Sequence, residues 1–154
     1  MAERYNLAPS DFDAGAANIQ ARLGQFNVNI DGNLSTGLRL AGCVPSRIRI
    51  LKVVAYRATA GAGIGAGGST DVDINVRPLG GANASIMPAN AIEFEQADGA
   101  NLTIVRTPNE ALAAWDGTGI VVEPGAVVSV EVDAIEAGAT APTGLSVSIQ
   151  YQLC

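Results

Sequence analysis

Carboxylates set two residues apart are the most frequent chemical raw material in this chain. Asp71/Asp73, Glu93/Glu95 and Glu131/Asp133 each put two acidic groups on the same side of an extended segment. A general acid and base, or an oxygen-ligand cation site, is built from such pairs. Each pair is interrupted by Val or Phe, so a water-facing strand face accounts for it without any reaction. No stretch has the Asp-x-Asp-x-Asn-Gly spacing of an EF-hand loop. The chain has no His among its 154 residues, which removes the usual triad base, the commonest zinc ligand and the ordinary pH switch. Cys43 and the hydroxyls of Ser10, Ser35 and Ser69 therefore have no identifiable base to activate them. The expectation is a protein that is not an enzyme and that uses no metal or cofactor.

Three further motifs invite chemistry and have plainer readings. Gly63-x-Gly65-x-x-Gly68 matches the dinucleotide fingerprint, but that fingerprint needs a following helix, and Ser69 to Val76 reads as a strand. Trp115, Tyr5, Tyr56 and Tyr151 could line a sugar-binding platform, although aromatics scattered singly through a β chain usually fill a core or an interface. The sequons at Asn33, Asn83 and Asn101 matter only in a secreted chain, and Met1 to Phe12 lacks the basic and apolar regions of a signal peptide. Synthesis in the cytoplasm is expected. Two cysteines, Cys43 and Cys154, are too few for a disulfide framework and are expected to be free and mostly buried.

The elements that would position these residues are overwhelmingly strands. Leu145 to Leu153, Asp71 to Val76 and Val128 to Asp133 alternate apolar and polar residues, the period of a half-buried strand. Ser46 to Arg57 has a longer apolar run and is placed centrally. Weaker strand candidates are Gln25 to Ile30, Gly37 to Ala41, Ala91 to Glu95, Leu102 to Arg106 and Gly119 to Glu123. Asp31-Gly32, Asp98-Gly99, Asp116-Gly117 and Pro124-Gly125 punctuate them as turns. Thr107-Pro108-Asn109-Glu110 reads as a capping box opening one short helix over Thr107 to Trp115. Phe12, Ala16, Ile19 and Leu23 fall at helical spacing, so residues 1–24 form either an amphipathic helix or an extended arm. The Gly-rich stretch Thr59 to Ser69 reads as a mobile hairpin loop at the rim. The sum is an all-β, antiparallel, jelly-roll-like β-sandwich of about eight strands over residues 25–154, preceded by that arm.

Charge narrows the partners. The net charge is -6, which disfavours phosphate backbones and anionic lipid, so neither nucleic acid nor membrane is expected. Up to Arg57 the balance is +3, and from Ala58 onward it is -9. Eight of the nine cations are Arg, which suits planar contacts to carboxylates at a protein interface. A mean hydropathy of +0.25 in a small β domain implies apolar strand surface covered by other subunits.

The strand entry Gly42-Cys-Val-Pro-Ser-Arg-Ile-Arg-Ile, the Gly/Ala/Thr-rich middle, the Val122-Glu-Pro-Gly-Ala-Val-Val-Ser-Val-Glu-Val segment and the closing strand of Thr143 to Gln152 together resemble tailed-bacteriophage head decoration, or capsid cement, proteins. The resemblance spans residues 35–153. It implies a jelly-roll virion protein, made in the host cytoplasm, that sits on the capsid exterior as a homotrimer and clamps adjacent major capsid subunits without catalysis. In that reading Arg4, Tyr5, Phe12, Ile19, Arg22, Leu23, Arg39, Arg47 and Arg49 form the interface with the major capsid protein, the arm ordering on the shell. A carbohydrate-binding or adhesion β-sandwich module is the alternative.

Overall fold

A computed structural model describes residues 23–154. They form ten strands: β1 (Leu23–Asn33), β2 (Gly37–Cys43), β3 (Ile48–Thr59), β4 (Ser69–Arg77), β5 (Ala84–Ser85), β6 (Ile92–Glu95), β7 (Leu102–Arg106), β8 (Ile120–Val122), β9 (Val127–Ala134) and β10 (Thr143–Leu153). All pairings are antiparallel. The first sheet runs β1-β10-β3-β7, with β8 also on β3; the second runs β2-β9-β4-β5, with β6 also on β4. The first strand thus meets the last, β2 meets β9, β3 meets β8 and β4 meets β5 and β6. That nesting is a two-stranded ribbon rolled into a sandwich, the jelly-roll arrangement expected from the sequence.

Alternation decides which side chains enter the core. Ile48, Ile50, Val53 and Ala55 of β3 point inward with Val147 and Ile149 of β10; Ile74 of β4, Phe94 of β6 and Val128, Val130 and Val132 of β9 answer from the second sheet, all at most 1% exposed. Each such Val or Ile side chain stabilises the fold by about 1.5–3 kcal/mol through burial. At the β1/β2 edge, Phe26 and Tyr151 stack with ring centroids 4.7 Å apart and close the sandwich. Gly24 and Gly42 lie directly under these two rings, where a Cβ would collide with them.

Four local expectations change. Thr107 to Trp115 is a run of turns, not a helix. The Asn109 amide donates to the Ile86 carbonyl (2.8 Å), and the Val121 amide donates to the Ala114 carbonyl (2.9 Å), while the Asn109 side chain accepts from the Ala111 amide (3.0 Å). Cross-strand partners and an Asx turn take the backbone groups that a helix would need. The helical turn found among the described residues is the three-residue 3-10 segment Gln96–Asp98, where the Asp98 carboxylate accepts from the Glu95 amide (3.0 Å).

Asp31-Gly32 is not a turn between strands but a bulge inside β1, with Gly32 at φ 73°. The Thr59 to Ser69 stretch is not a hairpin, because β3 and β4 lie in opposite sheets. It is also tied down: Ala62 and Thr140 exchange both backbone hydrogen bonds at 2.9 Å, and Gly67 and Ala137 do the same at 3.3 and 2.9 Å. Finally, Cys43 and Cys154 are free but exposed, one ending the edge strand β2 and the other following β10.

Candidate functional site

The carboxylate pairs gather on one surface. Ile92, Phe94, Val130 and Val132 face inward, so Glu93, Glu95, Glu131 and Asp133 face outward on the second sheet, beside Asp71 and Asp73 of β4. Asp71 stands opposite Glu93 and Asp73 opposite Glu131. Burial raises the pKa of the Asp73 carboxyl, with Asp133 adding to the rise, against hydrogen bonds from the Ser85 hydroxyl and the Ile74 amide. Among the described residues no group of three or more acidic, Cys or His side chains is arranged to hold a metal. The surface is an acidic face.

The Gly63, Gly65 and Gly68 loop leads into β4, so no helix N-terminus stands ready for a pyrophosphate. Among the described residues the aromatics do not form a platform. Tyr56 lies opposite Ser146 and Tyr151 opposite Ile50, five residues apart along β10 or roughly 17 Å. The Tyr56 hydroxyl donates to Asn101 (2.7 Å), Trp115 packs against the core, and Tyr5 lies outside the described residues.

The interface residues inferred from sequence divide into three groups. Arg4, Tyr5, Phe12, Ile19 and Arg22 lie outside the described residues. Leu23, Arg47 and Arg49 come together at one end of the first sheet's outer face, where the row Leu23, Gln152, Arg49, Val121 crosses four strands. Arg47 pairs with Glu123 at 3.0 Å. The Arg49 guanidinium grips Asp116 at 2.5 Å and is the main reason the Asp116 carboxyl is held down at about 2. Arg39 stands apart, in the second sheet, hydrogen-bonded to the Ser35 hydroxyl (2.8 Å) and the Leu38 carbonyl (3.2 Å).

Two features escape sequence reading. Arg57 is wholly buried at an inward position of β3. It donates to the carbonyls of Phe94 (3.2 Å), Glu95 (3.2 Å) and Gly99 (2.6 Å), lies 5.3 Å from the Phe94 ring centroid, and pairs with buried Glu136. Burial pulls its pKa below the ordinary arginine value. The other Glu136 oxygen accepts from the Gly61 amide (2.6 Å). The pair's signal was the parity of Arg57 with Val53 and Ala55; nothing in the sequence pointed to Glu136.

The second feature is an apolar groove of about 480 Å³ at the edge where β5 faces β8, lined among others by Val76, Leu79, Ile86, Leu112, Val122 and Pro124. It carries almost no polar group and so suits an apolar peptide surface better than a small polar substrate.

With this geometry in hand, solved structures supply a likeness. A chain of the capsid of Ralstonia phage GP4 superimposes with a TM-score of 0.51 at 17% identity, over 86% of this chain and 83% of that one. The likeness is one of fold. A chain of the cyanophage Pam1 capsid matches at TM-score 0.46 and 13% identity, over 86% and 84% of the two chains. A chain of the disulfide-linked pili of Bacillus endospore appendages matches at 0.35 and 13%, over 86% and 90%. These two overlaps are too loose to carry an argument. No protein-family model and no curated protein matches the sequence.

Proposed function

We propose that this chain is a non-enzymatic virion structural protein that decorates the outside of a phage capsid as a homotrimer and clamps adjacent major capsid subunits. The observation carrying this reading is the sandwich it has in common with a chain of the Ralstonia phage GP4 capsid, across 86% of its length. The distribution of charge supports an orientation. Arg47, Arg49 and Lys52 belong to the outer surface of the first sheet, with the uncharged Gln25, Asn27, Asn29, Ser146, Ser148 and Gln150 beside them, whereas the second sheet carries six outward carboxylates. The first sheet would meet an acidic patch of the major capsid protein, and the acidic sheet would face solvent. The exposed ion pair of Arg47 with Glu123 holds little energy, so Arg47 can exchange its partner on docking. The N-terminal arm would extend the contact to neighbouring subunits.

Purified protein mixed with expanded capsids of its own phage should co-sediment with them and raise their thermal midpoint. Capsids that pellet without it, or a glycan array that retains it while capsids do not, would overturn the proposal.

A further inference from the structure

The two long edges of the sandwich are complementary in kind. At one edge lie β1 and β2. β1 is eleven residues long, has no partner on its outer side among the described residues, and contains no Lys, Arg or Pro to guard it, its bulge at Gly32 interrupting only the last residues of the strand. β2 beside it holds out Leu38 and Leu40, 46% and 66% exposed. At the opposite edge is the apolar groove, with Leu79 84% exposed on its rim. Nothing among the described residues covers either feature, and apolar surface of this kind marks a protein contact.

The chain preceding β1 supplies the link. Leu23 shares a row with Val121 at the groove's end of the molecule, three strand spacings away, or about 14 Å. Residues 1–22 include Leu7, Phe12 and Ile19. From Leu23 back to Phe12 the chain can reach roughly 35 Å when extended. It leaves the β1 edge, which in a head-to-tail contact lies beside the next copy's groove edge.

We infer that copies of this chain associate head to tail, the β1/β2 edge of one against the groove edge of the next, with the first copy's residues 1–22 laid into the second copy's groove. Such a heterologous contact closes into a ring if the rotation allows. The inference does not depend on what the assembly coats.

The test uses full-length chains labelled with ¹⁴N and ¹⁵N, mixed during refolding, with a photoreactive p-benzoylphenylalanine in place of Phe12. Irradiation, digestion and mass spectrometry should give cross-links from that residue to peptides spanning 76–86 or 112–124, about half of them ¹⁴N–¹⁵N hybrids as random mixing requires. Leu79→Asp, at an exposed position where the far-ultraviolet circular dichroism of the chain should stay unchanged, should weaken self-association measured by sedimentation about tenfold. Leu40→Lys should do the same from the other edge. Cross-links confined to one isotope would mean that the segment fills its own groove. Cross-links elsewhere, no cross-links, or unchanged sedimentation of both variants would likewise overturn the inference. Loss of capsid binding with these results intact would count only against the decoration reading.

Discussion

At the scale of single residues, two opposing electrostatic designs stand on the two different sheets. Asp116 is stabilised as a carboxylate by Arg49, and its folded pKa of about 2 lies below the ordinary 3.8. Its contribution to stability is present above the ordinary value and is lost as pH falls from there toward 2. Asp73 has the reverse sign. Burial and Asp133 raise its folded pKa, so its ionisation costs stability at neutral pH, and that cost fades as pH drops through the raised pKa to the ordinary one. Asp73→Asn keeps an oxygen for Ser85 and Ile74 and should raise the thermal midpoint at about pH 7 but not at about pH 3. Asp116→Asn should lower the midpoint at about pH 7. Scanning calorimetry across that range reads both. The buried pair of Arg57 and Glu136 makes a sharper claim. Glu136→Ala leaves a guanidinium without its counter-charge inside the sandwich and should cost about 3–5 kcal/mol, whereas Arg57→Met with Glu136→Leu should recover most of that loss. Urea unfolding of the single and double variants reads the difference.

At the scale of elements, close approach matters as much as apolar content. Gly119 passes so near β3 that a Cβ there would strike the Ile50 carbonyl and the Arg49 side chain. Because the obstacle is backbone, Gly119→Ala should force β8 away from β3 and cost about 1–3 kcal/mol, measured by chemical denaturation. The strands themselves were legible in the sequence, since Val72, Ile74 and Val76, or Val147 and Ile149, obey the two-residue period of a half-buried strand. The expected helix at Thr107 to Trp115 was not. Its capping residues are real local signals, but Ile86 and Val121 claim the backbone from outside the segment, and no local pattern reports a long-range partner. For the same reason the groove was invisible: Leu79, Ile86, Leu112 and Pro124 meet only after folding. Of the inferred interface, the grouping of Leu23, Arg47 and Arg49 depends on strand register, which one chain's spacing does not encode.

At the scale of the whole molecule, the uneven charge along the chain becomes an uneven charge across it. β3 of the first sheet draws Arg49 and Lys52 from the basic early part, with Arg47 just before it, while β4, β6 and β9 of the second draw on the acidic later part. In the sedimentation experiment with capsids, attachment through the first sheet should therefore weaken as salt rises, because separated surface charges are screened within about 8–10 Å at physiological ionic strength.

The ribbon topology has its own consequence in time. β10 is the last of the described strands, yet it lies between β1 and β3, so β1 has no partner among the described strands until β10 has emerged from the ribosome. Earlier strands must wait with their Val and Ile faces unburied while translation proceeds at about 5–20 residues per second. The nascent chain is then most in need of a chaperone in the interval between the emergence of β3 and that of β10.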